Sequence, residues 1–531
     1  MHTTPHLWWQ KGIVYQIYPR SFMDSNGDGI GDLNGISSRL DYLRDLGIAA
    51  IWLSPIYPSP MADFGYDIAD YTDVDPIFGD LAAFDQLVEQ AHARDLKLLL
   101  DLVPNHTSDE HAWFKEARSS RNNPKRDWYI WRDPKPDGGL PNNWQAAFGG
   151  TVWEFDPPTG QYYLHTFHIK QPDLNWRNPQ VREAMYAMMR FWLDRGVDGF
   201  RIDVLPVLIK DEAFRDNPPN PHWQPGDFYW NKMLKIYSEN RPEVHEIVQE
   251  MRQLAEEYPE RVLIGETYLP YPELMRYYGE KLDEAHLPFN FELILLKDWH
   301  AAAVKRIVDS YEASLPTGAW PNWVLSNHDS ARLATRIGSE QARVGQMLLL
   351  TLRGTPTCYY GDELGMRNIK VPPELQFDPQ GKADPALSRD PARSPMQWDS
   401  GPVAGFSTAT PWLPLTDDHQ VMNVASQSQD PHSMLALFRR LTELRRTLPA
   451  LAVGEYAAVE TNSTQVFGYL REHAGQKVLV LLNFGAASQS VRLTTLAGEG
   501  QILCSTLMDG AKVIDLAQAQ LRPHEGLVIQ L

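Results

Sequence analysis

Eight apolar, strand-like runs alternate with amphipathic helical segments from residue 12 to about residue 450, and this alternation constrains the fold most strongly. Strands separated by helices pair in parallel, so the pattern predicts an α/β fold, and eight units predict a (β/α)8 TIM barrel. A doubly wound open sheet is the alternative, but no glycine-rich phosphate loop follows the first run. The predicted strands are 12–18, 48–53, 96–103, 197–204, 261–264, 288–293, 323–325 and 355–360, and the clearest helices are 36–46, 81–94, 179–195, 244–257 and 433–448.

Two stretches depart from the alternation. Residues 106–177, after the third strand, are rich in Trp, Pro, Asn and Gly and too long for a simple connection, so they predict an inserted subdomain. Short alternating runs after residue 450 predict a C-terminal antiparallel β-sandwich domain. The predicted division is a barrel in two parts, 1–105 and 178–450, an inserted subdomain, 106–177, and a C-terminal domain, 451–531.

Charge and cysteine content limit the class of partner. Lys and Arg number 49 against 68 Asp and Glu, a formal net charge of −19, which argues against nucleic acid or an anionic membrane as partner. Cys358 and Cys504 are the only cysteines, so a disulfide framework is excluded. The first residues do not have the pattern of a signal peptide, and no apolar run is long enough to span a membrane, so a cytoplasmic location is expected.

Polar residues follow four of the predicted strands. Residues 101–106 read DLVPNH, Arg201 and Asp203 end the fourth strand, residues 265–267 read GET, and residues 326–329 read SNHD. In a barrel of this type, the C-terminal ends of the strands open on one face, where the chemistry lies. One such motif is more often structural, whereas four in register indicate an active site.

The spacing of two carboxylates predicts the reaction. Asp203 and Glu266 follow neighbouring strands about 4.8 Å apart. Their carboxyl groups are therefore expected near the roughly 5–5.5 Å of retaining glycosidases, rather than the roughly 6.5–9.5 Å of inverting enzymes. We expect Asp203 to attack the anomeric carbon and Glu266 to act first as acid and then as base. Asp329 is a third carboxylate facing the same space, and His106 and His328 are expected to donate hydrogen bonds to sugar hydroxyls.

With these motifs in their order, the chain resembles glycoside hydrolase family 13, the α-amylase family, and within it the exo-acting α-glucosidase and oligo-1,6-glucosidase group. DLVPNH at 101–106, GFRIDV at 199–204, GETY at 265–268 and SNHD at 326–329 carry the resemblance, together with QPDLN at 171–175. It implies Asp203 as nucleophile, Glu266 as acid/base and Asp329 as transition-state stabiliser. It also implies Arg201, His106 and His328 as residues around the sugar.

The resemblance extends to the pocket walls. It implies that Asp67 binds the non-reducing-end hydroxyls, that Phe148 and Phe167 form aromatic walls, and that an arginine pairs with Asp67 to close the pocket. We expect Arg393 rather than Arg389 in that role. Without the resemblance, loop packing is the preferred interpretation of Asp67, Phe148 and Phe167. Val204, directly after the nucleophile, implies good cleavage of α-1,6 bonds beside some α-1,4 activity.

A loop near the N-terminus has oxygen-bearing residues at alternate positions, as calcium loops do. It is not an EF-hand, because Gly35 stands where the terminal glutamate belongs, and an Asx-rich turn without an ion is the alternative. The resemblance implies a structural Ca²⁺, and no organic cofactor. The implied ligands are Asp24, Asn26, Asp28, the carbonyl of Ile30, and Asp32.

The sequence thus predicts a monomeric or weakly associating retaining α-glucosidase. Its expected substrates are maltose, isomaltose and short oligosaccharides, with sucrose and trehalose as further candidates. The alternative is a trehalose synthase, sucrose isomerase or other transglycosylase on the same scaffold. A catalytically inactive transporter subunit is the other class considered, and the complete triad argues against it.

Overall fold

The computed structural model describes residues 6–493, 496, 498–509 and 512–531. It confirms the predicted barrel. Its eight strands pair in parallel in chain order, and a parallel bridge between Asn290 and Trp323 joins the sixth strand to the seventh. The barrel strands, numbered one to eight from here on, are Val14–Ile17, Ala50–Leu53, Lys97–Leu102, Gly199–Ile202, Val262–Gly265, Leu287–Pro288, Asn322–Val324 and Thr355–Tyr359.

Helices cover the barrel and bury an apolar stripe against it. Helix Val244–Glu256, for example, buries Ile247, Val248 and Met251 on one face. The longer helices are Leu33–Ser38, Leu40–Asp45, Leu81–His92, Ala112–Ser119, Pro179–Asp194, Val244–Glu256, Ala301–Ser314, Ser339–Thr351, Val424–Gln429 and Met434–Thr447. Shorter ones are Trp8–Lys11, Tyr271–Leu274, Glu292–Leu295, Leu333–Ile337, Pro379–Ala383 and Pro449–Val453. Within the described residues, no helix combines the length and apolar character needed to cross a membrane.

Two local predictions were wrong. The helix predicted over 36–46 is two short helices that meet at Arg39, which has non-helical backbone angles. Ser37 and Ser38 donate their hydroxyls to backbone carbonyls one turn back, a competing interaction that bends or ends helices. The sixth strand is only Leu287–Pro288, and the last two residues of the predicted strand, 292 and 293, begin the short helix Glu292–Leu295.

A glycine sets the spacing of the fourth and fifth strands. A Cβ atom on Gly199 would lie 2.1 Å from the carbonyl oxygen of Val262, so only glycine permits this close approach. The two strands pair with Ile202 opposite Gly265. Asp203 and Glu266 therefore leave the barrel side by side.

The inserted and C-terminal regions contain small antiparallel sheets. Strands Trp131–Arg132, Trp153–Asp156 and Gln161–Leu164 form a three-stranded sheet within 106–177. The C-terminal domain has a six-stranded sheet, and a two-stranded sheet packs on it through a shared apolar cluster that includes Leu481, Val491 and Leu521. The six strands are Glu455–Val459, Val466–His473, Gln476–Asn483, Glu499–Ser505, Val513–Asp515 and Gly526–Gln530, and the two are Gln489–Val491 and Ala519–Leu521. The exact domain limits stay predictions.

Candidate active site

A cavity of about 470 Å³ lies at the C-terminal ends of the barrel strands. This volume falls within the roughly 300–1,000 Å³ typical of small-molecule sites. The inserted subdomain and the loop after the fourth strand complete its wall. Of the predicted residues, Asp203, Glu266, Asp329, His106, His328, Val204, Phe148 and Phe167 line the cavity.

One buried guanidinium joins three carboxylates at the base of the site. Arg201 Nη1 lies 2.6 Å from Asp203 Oδ1 and 2.8 Å from Asp101 Oδ1. Its Nη2 lies 2.8 Å from Glu266 Oε2. Asp203 and Glu266 are therefore bound to the two terminal nitrogens of the same guanidinium. Arg201 thus fixes both members of the predicted catalytic pair from one side.

Electrostatics raises the pKa of Asp203 in this cluster. Burial raises the pKa of Asp203 well above its usual range, Arg201 opposes the rise, and the neighbouring carboxylates of Glu266 and Asp101 add to it. Because one positive charge faces three carboxyl groups, full ionisation would leave two buried negative charges without compensation. Arg201 therefore limits the rise in the pKa of Asp203 but does not cancel it.

Val204 holds Glu266 in place from the backbone. Its N–H donates to Glu266 Oε2 at 2.9 Å. To do so, Val204 takes a left-handed conformation with φ of 41°, which is unusual for a β-branched residue. Such strain costs about 1–3 kcal/mol and clusters at functional sites.

Asp329 lies among positive groups on the opposite wall. Arg393 Nη2 is 3.1 Å and Arg389 Nη1 is 3.3 Å from Asp329 Oδ1. Burial alone would raise the pKa of Asp329, but charged neighbours lower it overall. Burial also lowers the pKa of His328 to about 3, so His328 is neutral at physiological pH. Because His328 is neutral, the charges that keep Asp329 ionised are those of Arg389 and Arg393, with a smaller contribution from Arg201.

The two histidines belong to a buried hydrogen-bond network. Gln16 Nε2 lies 2.7 Å from His328 Nδ1, and Tyr66 Oη lies 2.7 Å from His328 Nε2 and donates to Asp101 Oδ2 at 2.9 Å. This pattern places the ring proton of His328 on Nε2. His106 Nε2 lies 3.1 Å from the Tyr66 carbonyl oxygen, and burial lowers the pKa of His106. Both imidazoles are thus neutral groups with fixed orientations.

The predicted ion pair between Arg393 and Asp67 is not formed. Asp67 is fully buried, and its carboxylate accepts hydrogen bonds from the Ala62 and Asp63 amides and from Ser59. Burial raises the pKa of Asp67 to about 6. Asp67 therefore holds its own loop together.

Asp63 and Arg389 occupy the positions predicted for Asp67 and Arg393. Asp63 lines the cavity and pairs with Arg389 at 2.5 Å. Arg389 also pairs with Asp378 at 2.6 Å. Arg393 instead donates to the His328 carbonyl oxygen and to Asp329, so it supports the cavity wall from behind.

Aromatic side chains form the other walls. The rings of Phe148 and Phe167 have centroids 6.0 Å apart, and Phe167 is 6.0 Å from Trp230. The sequence analysis did not predict Asp63, Tyr66, Trp230 or Tyr268, all of which line the cavity. The aromatic-rich run around Trp230 was the available signal for that residue.

The N-terminal loop is closed by its own hydrogen bonds. Asp24 accepts from the amides of Asn26, Gly27 and Gly29 and from the Ser407 hydroxyl. Asp32 accepts from Ser25 and caps the following helix through the Gly35 amide. In the part of the chain that the structure describes, no three His, Cys, Asp or Glu side chains are grouped so that they could hold a metal ion.

A parallel barrel with a carboxylate pair fixed by one arginine at its C-terminal face has the arrangement of a glycosidase. The family description "Alpha amylase, catalytic domain" matches residues 16–454. The chain therefore belongs to the α-amylase family of glycoside hydrolases.

Full-length similarity supports this assignment. The chain is 43% identical over 519 residues to a probable α-glucosidase of Rhizobium meliloti (strain 1021), with 93% of each chain covered. It is 38% identical over 564 residues to an oligo-1,6-glucosidase of Parageobacillus thermoglucosidasius, with 99% of each covered. The crystal structure of an α-glucosyl transfer enzyme, XgtA, superposes with a TM-score of 0.93 at 41% identity and covers 99% of this chain and 100% of its own.

Proposed function

We propose that the chain is an exo-acting α-glucosidase that releases terminal glucose from short α-glucosides with retention of anomeric configuration. The observation that carries this proposal is the Asp203–Glu266 pair, fixed on one Arg201 guanidinium inside a cavity of small-molecule size. Carboxyl groups held on one guanidinium support retention, because an inverting pair stands further apart, at roughly 6.5–9.5 Å, to admit a water.

In the first step, ionised Asp203 attacks the anomeric carbon, and the glycosidic bond breaks as Glu266 gives its proton to the leaving oxygen. Arg201 is placed to stabilise Asp203 as the carboxylate that this attack needs. The product of this step is a β-linked glucosyl-enzyme and a free aglycone.

In the second step, the Glu266 carboxylate takes a proton from water, and the water oxygen attacks the anomeric carbon from the face the aglycone left. The bond to Asp203 breaks, and α-glucose leaves. Asp329, held ionised by Arg389 and Arg393, offers negative charge to the sugar as positive charge develops on it.

Exo action is supported by the Asp63–Arg389 pair. Both side chains are less than a tenth exposed and line the cavity. We infer that they bind the hydroxyls of the terminal glucose and block passage of a further sugar unit. Val204 supports activity on α-1,6 bonds, which a comparison of kcat/KM for isomaltose and maltose tests. A large preference for maltose would end that part of the proposal.

An NMR product profile over maltose, isomaltose, trehalose and sucrose tests the function as a whole. We expect free glucose, with the α-anomer appearing first. β-Glucose appearing first would refute retention. Similarity to an α-glucosyl transfer enzyme favours transglycosylation as the second candidate. Disaccharide or longer products exceeding free glucose at low substrate concentration would favour transfer over hydrolysis.

The N-terminal loop is proposed to hold a structural Ca²⁺ through Asp24, Asn26, Asp28, the Ile30 carbonyl and Asp32. Its donor set consists of oxygen atoms alone, the kind that Ca²⁺ prefers. Burial opposes ionisation of Asp24, but the Ser407 hydroxyl and three amides lower its pKa overall. We expect EGTA to lower the melting temperature of the wild type and to leave the Asp28→Asn variant unaffected. Equal melting with and without EGTA would count against the ion.

A cytoplasmic location and a monomeric or weakly associating state are further proposals. Both described cysteines, Cys358 and Cys504, are buried free thiols, as a reducing compartment allows. The net charge of −19 disfavours self-association. Cell fractionation and light scattering test these two points, and a periplasmic pool or a stable oligomer would refute them.

A further inference from the structure

A second cavity, of about 540 Å³, lies between the inserted subdomain and the loop that follows the fourth barrel strand. Arg126, Trp131 and Arg132 line it from the subdomain, and Lys210 and Phe214 line it from the loop. It shares no lining residue with the catalytic cavity. A molecule bound here would leave the catalytic cavity open.

Positive charge dominates this cavity, although the whole chain carries a net charge of −19. Three of its basic residues are paired outside it: Arg121 with Asp133, Arg177 with Glu243, and Lys210 with Asp173. The charged lining residues are Arg121, Arg126, Arg132, Arg177 and Lys210 against Asp127 and Glu212.

Among the basic residues that line this cavity, Arg126 and Arg132 are the two for which no carboxylate of the described chain lies within ion-pair distance. Arg126 donates only to neutral oxygen atoms, and Arg132 donates to the Trp131 carbonyl. Burial lowers the pKa of Arg126 to about 10. A half-buried charge without a counter-ion is costly, and a bound anion would offset that cost.

Two buried donors here also lack partners. The Nε of Arg126 and the Nε1 of Trp131, a residue only 7% exposed, make no hydrogen bond within the described structure. Most buried polar groups in proteins are paired, so each such donor needs an explanation. The guanidinium of Arg126 stacks 3.3 Å from the Trp131 ring centroid, and that of Arg132 stacks 3.7 Å from the Phe214 ring. Stacking fixes the guanidinium planes, and the Nε and Nη2 of Arg132, which donate no hydrogen bond within the described structure, are left for a ligand.

We propose that this cavity binds the phosphate group of a small molecule through Arg126 and Arg132. A phosphate offers several acceptor oxygens to two positively charged guanidiniums, and arginine binds phosphate oxygens in pairs. The volume suits a small molecule rather than a macromolecule. Free phosphate and the phosphate of a sugar ester share this chemistry.

Isothermal titration calorimetry with inorganic phosphate and with glucose 6-phosphate tests the proposal. We expect saturable binding to the wild type, about tenfold or more weaker binding to Arg132→Gln, and partial recovery in Arg132→Lys. Arg44→Gln, which removes an exposed arginine elsewhere, is the matched control and should bind as the wild type does. Tighter binding of glucose 6-phosphate would identify a sugar phosphate as the ligand, and equal binding would identify free phosphate.

Results of two kinds would overturn the proposal. One is the absence of saturable binding of either probe to the wild type, or unchanged binding to a folded Arg132→Gln variant. The other is loss of binding when the catalytic cavity is saturated with 1-deoxynojirimycin, since that would place the probe in the catalytic cavity. If Arg132→Gln lowers the melting temperature, Arg126→Gln provides the second variant, with the same expected loss.

Discussion

Two matched variants, Asp63→Asn and Asp67→Asn, distinguish a carboxylate that binds the sugar from one that stabilises its own loop. The two residues lie four positions apart and both are buried. Asp63 lines the cavity against Arg389, whereas Asp67 accepts three hydrogen bonds from its own loop. We expect Asp63→Asn to lower kcat/KM and Asp67→Asn to lower stability.

The structure gives the size of each effect. A hydrogen bond to a charged group contributes about 1.5–3 kcal/mol, so loss of the Asp63 charge lowers kcat/KM by about 10- to 150-fold. Stability should change little, because Arg389 keeps Asp378 and Asp329 as partners. Asp67→Asn sets an NH₂ group against the Ala62 amide and costs about 1–3 kcal/mol of unfolding free energy.

Initial rates on isomaltose and thermal melts of the three proteins make the comparison. We expect kcat/KM of Asp67→Asn to stay within about threefold of the wild type, since Asp67 does not line the cavity. The assignment would be refuted if Asp67→Asn lost kcat/KM while Asp63→Asn kept it.

Three further changes have definite expected outcomes. Asp203→Asn lowers kcat by more than about 10⁴-fold without lowering the melting temperature, because it removes one of three carboxylates around Arg201; retained turnover in a rate assay would contradict this. Arg201→Lys moves the acid limb of the kcat/KM profile to higher pH, because the guanidinium opposes the rise in the pKa of Asp203; an unmoved limb would contradict it. Burial raises the pKa of Asp362 to about 7, above its unfolded value, so its stability contribution is lost as pH rises through 7. Asp362→Asn should therefore raise the free energy of unfolding at pH 8 by on the order of a few kcal/mol, and by progressively less towards pH 4. Melting temperatures measured at both pH values check this, and an equal gain at both would contradict it.

The barrel and the placement of the carboxylate pair could be predicted because both depend on regular strands. Apolar runs of the right length set the strand order, and the parallel ladder places Ile202 opposite Gly265. The residues that follow, Asp203 and Glu266, are neighbours for that reason alone. Because the strand register follows from the sequence, the placement of these two residues could be predicted without knowing the conformation of any loop.

The Asp63–Arg389 pair could not be predicted because it depends on an irregular loop. Met61, Phe64 and Gly65 all have positive φ, at 61°, 47° and 104°. Each such residue redirects the backbone, so strand alternation does not tell which of two nearby aspartates faces the cavity. The motif therefore identified the correct loop, but it pointed to Asp67, which does not line the cavity, instead of Asp63.

Val204 joins the regular and irregular parts of the site. A strand pattern predicts an extended residue at 204, yet a continued strand would point its N–H into the ladder and away from Glu266. The chain leaves the strand at Ile202 and turns through the left-handed conformation at Val204, which brings that N–H within 2.9 Å of Glu266 Oε2. A glycine would adopt this φ without strain, but it would also be free to leave it. The buried prolyl turn Leu205–Val207 that follows holds the strained residue in place, so the fold itself keeps the Glu266 carboxyl beside Asp203.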